Sequence, residues 1–224
     1  MAVAASARDI DAASYGFPLT NPFEATIATT PPDQRPTLPE DDEINQSDYS
    51  LNLRPDREFT LPDNFWAVKK LKYRLARQDR EAPLIFIIAG TGAPYTSSIN
   101  EYLKKLFYQA GFHVVQLSSP TSYDFMSAAS RFATPGVSQE DAEDMYRVMQ
   151  AVRAQHPRLP ISEFYLTGYS LGALDAAFVS HLDETRRSFN FKRVLLLNPP
   201  VNLYTSINNL DKLVQTQVKG IDRS

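Results

Sequence analysis

Phe164-Tyr165-Leu166-Thr167-Gly168-Tyr169-Ser170-Leu171-Gly172 is the stretch on which the reading of this chain turns. An apolar run stops at Gly168, and a helix-forming run begins at Leu171. Between them lies Gly-Tyr-Ser-Leu-Gly, a G-x-S-x-G pattern that places the serine in a tight strand-to-helix turn. Glycine is expected at 168 and 172 because a Cβ at either position would strike the neighbouring strand or helix. The turn lifts Ser170 Oγ out of the sheet at the N-terminus of the next helix. A bare G-x-S-x-G arises often by chance; one framed by a strand and a helix is far more specific.

Working outward, Leu84-Ile85-Phe86-Ile87-Ile88 is a continuous apolar run rich in β-branched residues. Such a run marks a strand buried on both faces, hence a parallel one. Residues 65–68 and 71–74 predict one or two strands before it. Ile99, Leu103, Leu106, Phe107 and Ala110 recur at helical spacing, and Gly111 ends that helix. Val114 to Leu117 predicts a short strand. Ser138-Gln139-Glu140-Asp141 has the form of a capping box opening a helix that carries Ala142, Met145, Met149 and Val152 on one face. A strand over 194–197 follows the helix after the serine, and a last helix is expected over 203–219. Alternating strands and helices of this kind make an α/β fold, a doubly wound, mostly parallel sheet flanked by helices. Ligands in such sheets bind beyond the carboxyl ends of the strands. Three segments fall there: 89–94, 118–125 and 169–171.

Composition bounds the function. The 224 residues suffice for one domain with a sizeable core. A net charge of −3 leaves no nucleic-acid footprint. With no cysteine, disulfides and thiolate metal sites are excluded. No run of about 18 apolar residues exists to span a membrane. Sixteen prolines against eight glycines, crowded towards the start, set residues 1–60 apart as an extended Pro/aromatic-rich N-terminal arm; residues 61–224 form the domain. Tyr15, Phe17, Pro18, Pro22 and Phe23 are expected to anchor that arm on the domain, with the acidic run Glu40-Asp41-Asp42-Glu43 in solvent. Ala5-Ser6-Ala7 is an A-x-A-like site, consistent with the remnant of a secretory signal and a periplasmic or secreted location. The charged start and apolar middle of a signal are missing, so a plain N-terminus and a cytoplasmic location stay open.

The Gly168–Gly172 elbow, together with Ala89-Gly90-Thr91-Gly92 after an apolar strand, resembles the α/β-hydrolase fold family over roughly residues 65–219. The resemblance implies a serine hydrolase, esterase- or lipase-like, with Ser170 as nucleophile for acyl transfer. It implies an oxyanion hole of two backbone N–H groups. One belongs to Leu171, and the other to the loop after the third strand, with Thr91 and Gly92 as candidates. Ala89 stands where a histidine often opens that loop. No organic cofactor and no metal are needed for this chemistry, and the substrate is a small-molecule or lipid-like acyl compound. Gly90-Thr91-Gly92 does not make a dinucleotide fingerprint, because Tyr95 stands where the third glycine belongs.

A serine hydroxyl needs a positioned base, and the family places an acid and then a histidine after the serine. All three histidines come before residue 182. His113 begins a strand and is expected at the opposite edge of the sheet. His156 ends a helix, where it would neutralise the terminal carbonyls. His181 lies eleven residues beyond Ser170 on one helix, about 16 Å along its axis. Asp175 and Asp211 sit on helices, and Asn198 closes the strand before Pro199. The chain is therefore expected to lack the acid and histidine of the triad, as a piece incomplete at the C-terminal edge of its sheet and close to inactive. Its exposed last strand would favour association. The alternatives are a non-catalytic α/β-hydrolase-like ligand- or partner-binding protein and an interaction protein working through the arm. The long connection 118–136, with Tyr123, Phe125, Met126 and Phe132, either covers a partly apolar substrate group or packs the arm. Oligomeric state is not specified.

Overall fold

The computed structural model describes residues 35–53 and 70–217, with isolated positions 19, 21, 24 and 30. Two compact units divide at residues 37 and 38. In the first, Asn21 Oδ1 accepts from the Glu24 N–H and Arg35 Nε donates to Thr30 O. The expected anchors Tyr15 to Phe23 and the strand over 65–68 lie outside the described residues.

The second unit is built on a six-stranded sheet. Its strands are β1 (Gln46–Leu51), β2 (Leu71–Ala76), β3 (Ala82–Ile88), β4 (His113–Leu117), β5 (Ile161–Tyr169) and β6 (Arg193–Leu197). Its helices are α1 (Ser98–Gln109), α2 (Tyr123–Ala128), α3 (Ser138–Gln155), α4 (Leu171–Arg186) and α5 (Leu203–Gln217). The strand order is β1-β2-β4-β3-β5-β6. β1 and β2 pair antiparallel, as do β2 and β4, while β4, β3, β5 and β6 run parallel.

The continuous apolar run at 84–88 is buried on both faces because helices cover both. Leu84, Phe86 and Ile88 join the core under α3 and α4, with Met145, Met149, Ala176 and Val179. Ile85 and Ile87 face the smaller core that includes Leu103 of α1. Gly111, at φ +90°, turns the chain from α1 into β4.

Several local readings are corrected. Gln46–Leu51, inside the arm expected over residues 1–60, is a sheet strand, with Tyr49 opposite Tyr73. No proline interrupts that stretch, and an edge strand tolerates its polar pattern. The acidic run is not wholly in water: Asp41–Glu43 is a 3-10 turn, and Asp41 Oδ1 pairs with Lys104 Nζ at 3.4 Å and Lys105 Nζ at 3.3 Å. The connection 118–136 contains the short helix α2. Val137, not Ser138, precedes the first turn of α3, and no side chain caps it. Asp141 instead accepts the Gly136 N–H at 2.8 Å, tying the preceding loop to the helix.

At the β6 edge Leu195 and Leu196 are exposed, as are Tyr204, Leu210 and Val214 of α5.

Candidate active site

Ser170 is the single residue between the end of β5 and the start of α4. To turn the chain in one residue it adopts φ 53°, ψ −126°, a conformation that costs a side-chain-bearing residue of order 1–3 kcal/mol. Two backbone bonds over-determine the turn: the Ser170 N–H donates to Leu197 O at 2.9 Å, and the Ala173 N–H donates to Ser170 O at 3.0 Å. Ser170 is exposed, and its side chain does not cap α4. The hydroxyl is thus presented at the carboxyl end of the parallel strands.

The two glycines are required by space. A Cβ on Gly168 would lie 2.1 Å from Gly172 O, and one on Gly172 would lie 2.3 Å from Ile88 O. Helix α4 therefore starts in direct backbone contact with the ends of β5 and β3. Leu171 is its first residue, so its N–H has no carbonyl four residues back within the helix to bond.

The loop after β3 reaches the same end of the sheet. The Ala93 N–H closes a turn on Gly90 O at 3.0 Å, and Gly92 takes φ +67°. Thr91 is exposed. The Gly92 N–H donates to Thr121 Oγ1 at 2.8 Å. That bond, made across 29 residues, distinguishes the two candidate donors: Gly92 is engaged by a side chain that spacing alone does not reveal. Thr121 belongs to the segment after β4, which also receives the Tyr95 N–H on Ser118 Oγ.

None of the histidines is beside Ser170. His113 lies at the amino end of β4, which is separated from β5 by β3 alone. Its distance from the elbow therefore comes from lying at the opposite end of the strands, not at the opposite edge. The Gln78 N–H donates to His113 Nδ1 at 3.0 Å, so Nε2 carries the proton and donates to Pro160 O. Burial holds its pKa below the usual imidazole range. His156 Nε2 is hydrogen-bonded to the Tyr73 hydroxyl at 2.7 Å, while Arg153 Nη1 donates to His156 O at 2.8 Å. Burial, then Arg77 and Arg153, lower the His156 pKa, and it is the arginine that donates to the carbonyl at the helix end. His181 is exposed and pairs with Glu184 at 3.1 Å. An open cleft of about 610 Å³ beside His156, Arg77 and Pro160 is likewise at the amino end.

Asp175, one turn into α4, is buried, and its Oδ2 has no hydrogen-bond partner. Burial, reinforced by Asp141, pushes its pKa up to about 8. Asp211 is exposed on α5, and Asn198 takes φ 51° after β6. Of the aromatics in 118–136, Phe125 is core, whereas Tyr123 and Phe132 are exposed. Among the described residues no group of acids and histidines could hold a metal ion, and no helix is long and apolar enough to cross a membrane.

By sequence, neither a family profile nor a curated protein matches the chain. By shape, it is similar to solved esterases. An esterase of Pyrococcus furiosus superposes with a TM-score of 0.56 at 13% identity, over 77% of this chain and 56% of that one. A bacterial brefeldin A esterase, described as a homologue of human hormone-sensitive lipase, superposes with a TM-score of 0.52 at 16% identity, over 84% and 49%. The chain has the α/β-hydrolase fold. It spans about half the length of the solved esterases it matches. Within the α/β-hydrolase sheet, the loop after the third strand and the elbow after the fifth converge at the carboxyl ends, where an open α/β sheet binds its ligand. Sequence reasoning missed Thr121; it leaves Asp175 either solvated or buried, and the isolated acid in an otherwise apolar stretch, Ala173-Leu174-Asp175-Ala176-Ala177, is the signal for the second.

Proposed function

We propose that this chain carries the nucleophile of an esterase-type serine hydrolase and that Ser170 is that nucleophile. The observation that carries the reading is the backbone of Ser170: a serine at φ 53°, ψ −126° between a parallel strand and a helix, exposed and not spent on capping. Strain of this kind persists where surrounding structure holds it, and it clusters at active sites. The esterase character of the similar structures points to a small acyl ester as substrate.

In this reading Ser170 Oγ attacks the ester carbonyl carbon, and the developing oxyanion is held by the N–H groups of Leu171 and the 90–92 loop. Thr91 is the preferred loop donor, because the Gly92 N–H is bonded to Thr121. The Oγ proton must pass to a base, and His113, His156 and His181 are each held elsewhere. The test is turnover of 4-nitrophenyl butyrate by the wild type, Ser170→Ala and the His113→Ala/His156→Ala/His181→Ala variant. Without a histidine at Ser170 turnover is expected to be slow; the reading requires that Ser170→Ala abolish the turnover the wild type shows above the uncatalysed rate and that the histidine variant retain it wherever it folds. Equal turnover by Ser170→Ala refutes it.

The absence of a histidine beside Ser170 favours a second reading, a ligand-binding chain without turnover. Under it the wild type shows no hydrolysis above the uncatalysed rate, yet an ester analogue perturbs the amide signals of residues 90–92 and 170–171.

A further inference from the structure

We propose that Tyr169, the residue immediately before the exposed serine, is the positioning residue that clamps the loop 89–97 onto the elbow and thereby sets the separation between Ser170 Oγ and the loop's N–H groups. The catalytic consequence rests on the hydrolase reading above; the clamp itself rests on geometry alone.

The residue between the first glycine and the serine of a G-x-S-x-G pattern is free to vary as far as the turn is concerned. Here its side chain touches both ends of the loop after β3. At the start of the loop, the ring lies over Gly90: a Cβ built there would be 2.6 Å from Tyr169 Cε2 and 3.0 Å from Cδ2. Gly90 is not among the glycines with positive φ, which are Gly92, Gly111 and Gly136. Its missing side chain therefore answers to Tyr169, to the ring first and then to its carbonyl oxygen at 3.2 Å, rather than to a positive φ. At the end of the loop, the phenol oxygen is hydrogen-bonded to Ser97 Oγ at 3.0 Å. Ser97 is the N-cap of α1.

The far side of the loop is held independently by the segment after β4. The Gly92 N–H donates to Thr121 Oγ1, the Tyr95 N–H to Ser118 Oγ, and the Ser119 N–H to Ala93 O. The loop is gripped between that segment and Tyr169. Because Tyr169 and Ser170 are consecutive, the ring transmits the position of the loop directly to the serine. A phenylalanine would keep the contact with Gly90 and lose the bond to Ser97, which separates the two ends of the clamp.

The experiment compares the full chain with Tyr169→Phe, Ser97→Ala and the double variant. Amide hydrogen exchange is followed across 90–97 and across β3, and kcat and KM are measured for 4-nitrophenyl butyrate. Losing one hydrogen bond should speed exchange of the loop amides about two- to tenfold. Exchange in β3 should not change. kcat should fall by a similar factor with KM within about twofold, and the double variant should be no worse than Ser97→Ala, since both singles remove the Tyr169–Ser97 bond and Ser97→Ala removes the cap on the Asn100 N–H besides. Unchanged loop exchange, or exchange that rises equally in β3, overturns the clamp. So does an additive double variant. In an active enzyme, faster loop exchange with unchanged kcat overturns the positioning role. If the wild type does not turn over the ester, the hydrolase reading and the catalytic consequence both fall, while exchange still decides the clamp.

Discussion

Gly172→Ala sets two effects of opposite sign against each other. Gly172 is the second residue of α4 and is buried. By helix propensity alone, alanine is favoured over glycine by up to about 1 kcal/mol. The added Cβ, however, would lie 2.3 Å from Ile88 O, 2.4 Å from Ala89 O and 2.8 Å from Ala89 C. All three are backbone atoms, so no side chain can swing aside. A real Cβ contact needs at least 3.0 Å, and the approach to Ile88 O falls 0.7 Å short. Helix α4 must therefore withdraw from the end of β3. Overpacking costs about 1–3 kcal/mol, and an unyielding obstacle places this case near the top of that range. The net loss is about 2 kcal/mol, which in a domain of this size lowers Tm by about 4–8 °C. Thermal unfolding followed by circular dichroism, with urea midpoints alongside, measures it. An unchanged or raised Tm would mean that propensity wins, and that α4 does not abut β3 as described. The same withdrawal carries Ser170 and the Leu171 N–H with it; if the hydrolase reading holds, misplacement of this size costs up to about 100-fold in kcat.

Ser170→Gly should abolish ester turnover and raise stability by about 1 kcal/mol or more, because glycine takes φ 53° without strain; a loss of stability in urea would show that the turn is unstrained. Burial raises the Asp175 carboxyl to about 8 from 3.8, so the native state keeps a proton that the unfolded chain has shed. Its stabilising contribution is complete below about pH 4 and is lost as pH rises towards 8. Asp175→Asn should flatten that fall, and urea midpoints at pH 5 and pH 8 that decline as steeply as in the wild type would contradict it. Lys104 is fully buried and donates to Glu101 Oε2 at 2.5 Å and Gln46 Oε1 at 2.7 Å. Lys104→Met should cost about 1 kcal/mol, read as a lower urea midpoint, because it removes the bonds to Glu101 and Gln46 while Glu101 keeps Arg74 at 2.9 Å and Gln116 at 3.0 Å.

The parallel strands and the elbow are legible in the sequence because their causes are local. Residues 84–88 leave no polar position to face water, so a strand there must be covered on both sides, and α1 on one face with α3 and α4 on the other do so. Gly168 and Gly172 bracket a serine at the one spacing that lets a strand run directly into a helix. Other features depend on residues far apart in the chain, and only the tertiary structure decides them. β1 has the polar pattern Gln46-Ser47-Asp48-Tyr49-Ser50-Leu51, which reads as arm until pairing with β2 satisfies its backbone. Thr121 takes up the Gly92 N–H only because the segments after β3 and β4 meet at one end of the sheet. Asp175 sits on a helix in any local reading, and its carboxyl pKa rises because packing removes water from around it. Gly90 looks like a turn glycine, yet its missing side chain answers to a tyrosine ring 79 residues on. Local chemistry determines which segments can be strand, helix or elbow; the excluded water and the long-range contacts that set protonation, donor availability and loop position come into being only when the sheet assembles.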